Sequence, residues 1–74
     1  MSRFVEKFDN GIEVAWGLDD ARGYFIQVFD TLAEDEDYVL EDMDTVFDSI
    51  GPQEVIRIAE YYEVDPVHVA NTLL

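Results

Sequence analysis

The spacing of hydrophobic residues changes period once along this chain, near residue 30. Before that point it is the spacing of strands. Ile12, Val14, Trp16 and Leu18 fall on one side of an extended segment and Glu13, Ala15 and Gly17 on the other, the alternation of a half-buried sheet. Phe4-Val5-Glu6-Lys7-Phe8 precedes this segment, with Asp9-Asn10-Gly11 between the two. Asn-Gly signals a hairpin because both central turn positions tolerate φ > 0, so these two strands are expected to pair. Asp19-Asp20-Ala21-Arg22-Gly23 reads as a turn, and Tyr24-Phe25-Ile26-Gln27-Val28-Phe29 is almost wholly apolar, as in a central or doubly covered strand. Residues 1–30 therefore predict a three-stranded antiparallel meander.

Beyond residue 30 the spacing becomes helical. Val39, Met43, Val46, Phe47 and Ile50 recur at i, i+4, i+7, i+8 and i+11, which predicts an amphipathic helix over 31–50. Thr31-Leu32-Ala33-Glu34 has the form of a capping box at its start, and Gly51-Pro52 would stop it. Residues 52–74 predict a helical hairpin. Pro52 opens the first helix with Glu54 in its first turn and Val55, Ile58, Ala59 and Tyr62 as the buried stripe; Asp65-Pro66 caps and opens the second, with Val69, Ala70 and Leu73 inward. The expected architecture is α+β, a three-stranded antiparallel meander followed by two or three helices packed on one face, within a single domain of 74 residues.

Charge adds a functional signal to this outline. The net charge is −14, and nine of the eighteen carboxylates lie between Asp30 and Asp48, a stretch with no Lys or Arg. On the predicted helix Glu34, Asp37, Glu41, Asp44 and Asp48 would form a ladder with rungs about 5 Å apart, similar to the few ångströms per phosphate of a nucleic-acid strand. Asp35, Glu36 and Asp42 would widen it. Like charges at i, i+4 cost a few tenths of a kcal/mol each, and Asp48 opposes the macrodipole near the helix C-terminus. Selection for stability alone would intersperse both signs. The expected partner-binding residues are therefore Glu34, Asp35, Asp37, Tyr38, Glu41, Asp42, Asp44 and Asp48, with exposed aromatics such as Tyr38 and Tyr61 adding packing contacts.

Composition narrows the function classes. At 49% apolar and 14% aromatic residues the chain is too hydrophobic for a disordered acidic tail. The absence of Cys and the single His68 leave no Cys-His pair and no Cys/His zinc cluster, and Asp35, Asp37 and their neighbours miss the EF-hand register of Gly and terminal Glu. No enzyme, metal site or cofactor is expected. Met1 to Asn10 has no continuous apolar leader segment, and no stretch approaches the roughly 20 apolar residues that span a bilayer, so a cytoplasmic protein is expected. The strong negative charge disfavours anionic membranes and direct nucleic-acid binding. Ile58-Ala59, Tyr62, Val64, Asp65-Pro66 and Val69 resemble the core of a DNA-binding helix-turn-helix. Glu63 stands at its turn glycine, however, and Val67, His68, Asn71 and Thr72 supply no cation for phosphate.

Small, very acidic, Cys-free and without catalytic residues, the chain resembles the nucleic-acid-mimic inhibitors of phages and mobile elements, of the anti-CRISPR and anti-restriction type. The resemblance is one of composition and charge geometry. It implies a non-catalytic inhibitor whose acidic face occupies the basic nucleic-acid-binding surface of a partner protein or complex, with the ladder carboxylates replacing phosphates. Two other readings compete with it. A salt-adapted domain would use acidity for hydration, although it should spread the acids evenly. A subunit-assembly protein, such as a homodimer, would use Phe25, Phe29, Tyr61 or Tyr62 as an apolar patch.

Overall fold

A computed structural model describes residues 2–32 and 38–73. Four strands, β1 (Ser2–Lys7), β2 (Ile12–Asp19), β3 (Gly23–Asp30) and β4 (Tyr38–Asp44), are followed by α1 (Thr45–Asp48), α2 (Pro52–Tyr61) and α3 (Pro66–Leu73). The strands form one antiparallel sheet in sequence order. The α+β class stands, and the meander is longer than expected by one strand.

The first hairpin turns through Asp9-Asn10-Gly11. The Gly11 amide donates to the Phe8 carbonyl at 3.0 Å and the Phe8 amide to the Ile12 carbonyl at 2.9 Å. Gly11 alone takes positive φ, at 88°, so the loop is a three-residue turn closed by a left-handed glycine and not the two-residue turn that Asn-Gly suggested. The second turn is organised by Asp19, whose Oδ1 accepts from the amides of Ala21 at 2.7 Å and Arg22 at 3.1 Å.

Side chains alternate across the sheet as its period demands. Phe4, Trp16, Ile26 and Met43 stand opposite one another on one face, and that face carries the core. Val14, Trp16, Ile26 and Val28 pack there against Ile50, Val55, Ala59, Val64 and Val69 from the helical half. Trp16 also ties the layers by polarity, its Nε1 donating to Thr72 Oγ1 at 2.8 Å, and His68 meets the indole edge-on. The helix starts follow the sequence signals. Glu54 Oε2 accepts from the Gly51 amide at 2.9 Å and Asp65 Oδ1 from the Val67 amide at 2.9 Å, filling donors that a helix start leaves unpaired.

The acidic helix over 31–50 is not formed. Tyr38–Asp44 is strand β4, and only Thr45–Asp48 is helical before α2. Thr31 is tied to the first hairpin, its amide and its hydroxyl both donating to the Gly11 carbonyl at 2.8 and 2.6 Å, while Ala33 and Glu34 of the expected capping box lie outside the described residues. Two forces favour the strand. Apolar β3 pairs with β2 on one side and needs a partner for the backbone groups on its other side. Asp42 and Asp44, two apart, share one face of a strand but diverge on a helix, and as a strand both reach Arg22. Of the helical stripe, Met43 and Ile50 reach the core, whereas Val39, Val46 and Phe47 are exposed.

Candidate functional site: the acidic edge

β4 is an outer strand of the sheet, and among the described residues it pairs only with β3. Its register jumps from Val28↔Glu41 to Phe29↔Val39, so Leu40 is an extra, bulged residue that breaks the edge into two short pieces. Around this edge lies a run of large exposed apolar side chains. Tyr38, Val39 and Leu40 come from β4, Leu32 from the segment before it, and Val46 and Phe47 from α1, Phe47 being 85% exposed.

α1 has no buried residue and is held by polar contacts. Asp44, 1% exposed, caps it by accepting from the Phe47 amide at 2.7 Å, while the Asp44 amide donates to Asp48 Oδ2 at 2.9 Å. Arg22 Nε donates to Asp44 Oδ2 and Arg22 Nη2 to Asp42 Oδ1, each at 2.8 Å. The hydrogen bond from the Phe47 amide, reinforced by Arg22, holds the Asp44 carboxyl below its ordinary pKa against the opposing effect of burial. Thr45 Oγ1 accepts from the Tyr24 amide at 3.0 Å and donates to the Ile50 carbonyl at 2.7 Å. This clamp fixes α1 to the β2–β3 turn, and Val46 and Phe47 stay in solvent.

The expected binding residues consequently divide. Asp44 and Asp48 stabilise the fold locally, and Asp42 is paired with Arg22. Glu41 lies on the helix side of the sheet, close enough to Tyr62 to help raise its phenol pKa, burial being the larger cause. Tyr38 is exposed, at 63%. Glu34, Asp35 and Asp37 lie outside the described residues. A straight ladder of Glu41, Asp44 and Asp48 is not formed, because Glu41 and Asp44 point to opposite faces of a strand. What the sequence reading missed is Arg22 and the exposed group of Val39, Leu40, Val46 and Phe47. The available signal was the i, i+2 spacing of Asp42 and Asp44, which suits a strand facing a single cation.

On the open sheet face a cavity of about 300 Å³ is lined by Ser2, Arg3, Asp19, Arg22, Phe25 and Gln27. Arg22 is paired with Asp42 and Asp44, while Arg3 donates to Gln27 Oε1 at 3.0 Å and lies over the Phe25 ring. No described helix is long and apolar enough to cross a membrane. No protein-family model, curated protein or solved structure matches this chain. The arrangement offers attraction for cations together with apolar contact area.

Proposed function

We propose that this chain is a non-catalytic acidic binding protein that places its β4 edge and α1 on the basic, nucleic-acid-binding surface of a partner, in the manner of an anti-CRISPR or anti-restriction mimic. The observation that carries the reading is the use made of Arg22. Both ion pairs to the Asp30–Asp48 segment among the described residues come from this one guanidinium, and both are spent on Asp42 and Asp44. Nine carboxylates in that segment meet no Lys or Arg of its own. In sequence these carboxylates flank exposed apolar side chains that the core does not use. Carboxylates then steer the encounter and set its salt sensitivity, while Tyr38 at one end of β4 and Val46 and Phe47 beyond the other supply apolar contact area.

The structure dictates which acids to reverse in the test. Asp44 must stay, since its loss would disturb α1 itself. Asp35→Lys, Asp37→Lys and Glu41→Lys together invert charge and leave both Arg22 partners in place. Pull-down from host lysate at low and moderate salt is expected to recover a nucleic-acid enzyme or effector complex with the wild type and not with the triple variant, whose circular dichroism and melting temperature stay close to wild type. Equal recovery by both forms would overturn the reading. Concentration-dependent self-association with no captured partner would favour the assembly alternative, and a requirement for molar salt to fold would favour salt adaptation.

A further inference from the structure

At the far end of the helix layer from α1 a second cavity, of about 230 Å³, is lined by Phe8, Asn10, Ile12, Tyr61, Tyr62 and Glu63. It is several times the roughly 30 Å³ that one water occupies in the liquid. Three of the six lining side chains are aromatic, and the two tyrosine rings meet edge-on, 5.0 Å apart at 79°. One acid lines it, and two more stand on the helix-side face of the sheet. Glu63 is on the rim, Glu41 approaches Tyr62 from β4, and Asp30, opposite Ile12 in the register, shares the helix-side face of the sheet. Among the described residues no ion pair reaches Glu63.

The backbone at Glu63 adds an independent observation. Glu63 has φ 71°, and its turn is closed by bonds from the Glu63 amide to the Glu60 carbonyl at 2.9 Å and from the Val64 amide to the Ala59 carbonyl at 3.0 Å. This is the Schellman ending of a helix, whose left-handed residue is usually Gly. A strained glutamate here keeps a carboxylate on the rim of an aromatic cavity, and strain of this kind concentrates at ligand sites.

Ring faces carry negative quadrupole charge, apolar walls suit methylene groups, and a carboxylate completes the recognition set for an organic cation. We propose that this cavity seats one Lys or Arg side chain of the partner protein, with the alkyl stem against Phe8 and Ile12 and the charged head between the tyrosine rings and Glu63. The inference rests on the reading that the partner surface is basic, and it assigns a discrete anchor to an attraction that is otherwise diffuse.

The test is an amide-shift NMR titration of the full chain with n-butylguanidinium, n-butylammonium and, as the neutral counterpart, 1-pentanol, at constant ionic strength. Both cations are expected to give saturable shifts centred on Phe8, Asn10, Tyr61, Tyr62 and Glu63, which pentanol does not reproduce. Tyr61, 80% exposed, can be removed without opening the core, and Tyr61→Ala should weaken cation binding about tenfold, the size of a well-placed cation–π contact. Glu63→Gln should weaken it as well. Equal shifts with pentanol, or shifts spread over all carboxylates and unchanged in Tyr61→Ala, would overturn the proposal. Failure of the broader reading is distinguishable. Specific cation shifts in a chain whose triple Lys variant captures the same proteins as wild type would leave the anchor standing and remove the acidic edge as docking surface.

Discussion

α1 and α2 are consecutive helices held in place by opposite means. α2 buries Val55 and Ala59 against the sheet, so its position rests on apolar area removed from water. α1 buries no residue and rests on the Asp44, Thr45 and Arg22 clamp, with Val46 and Phe47 exposed beside it. A helix that the core holds has its apolar side chains committed to folding. A helix that polar contacts hold keeps them available, and here they sit within the most acidic part of the chain.

This contrast is broken most severely from the α2 side. Val55→Ala removes a fully buried branched side chain and should cost about 2 kcal/mol, including the cavity it leaves, read as a fall in the denaturant midpoint. On the α1 side, Asp44→Asn should lower the melting temperature at neutral pH by weakening both the helix cap and the Arg22 pair. Its signature is pH dependence. The folded-state pKa of Asp44 lies below the ordinary value of 3.8, so the stability it contributes is complete above the unfolded pKa and is lost as pH falls through the folded value. The wild-type advantage over Asp44→Asn should shrink as pH is lowered below about 4, followed by thermal melts across that range. An advantage that persisted into strong acid would show that Asp44 acts by shape and not by charge.

Smaller effects sharpen the same comparison. Glu63→Gly relieves the left-handed strain at the end of α2 and should raise stability by about 0.5 to 1 kcal/mol, while removing the carboxylate from the aromatic cavity. Stability and cation binding should therefore move in opposite directions. Phe47→Ser with Val46→Ser should change stability by no more than about 0.5 kcal/mol, because neither side chain is in the core, yet should weaken capture of the basic partner. A large loss of stability in this double variant would mean that α1 is held by burial after all.

Much of the fold could be read locally. The alternation of Ile12, Val14 and Trp16, the glycine of the first turn, Asp65 as a helix cap and the Val55–Ala59 stripe depend on near neighbours and on a single period, and each stands in the structure where the pattern put it. The acidic segment could not be read this way. Val39, Met43, Val46, Phe47 and Ile50 match a helix by spacing, but two of the five are inward, and the described members of the acidic ladder, Glu41, Asp44 and Asp48, do not line up. Asp44, expected on a binding surface, is 1% exposed and caps α1.

The sequence by itself determined the α+β order, the strong asymmetry of charge and the absence of Cys, since these follow from composition and from periods of two and 3.6 residues. Only the tertiary structure decided that Tyr38–Asp44 is an edge strand, that Arg22 pairs with Asp42 and Asp44, and that Phe8 from the first hairpin lines one cavity with Tyr61 and Tyr62 from the end of α2. Those outcomes depend on partners outside any one local window, from Asp30 opposite Tyr38 to Arg22 with Asp42 and Asp44. An unpaired edge of β3 and a single guanidinium outweigh the few tenths of a kcal/mol per residue by which local helix propensity differs.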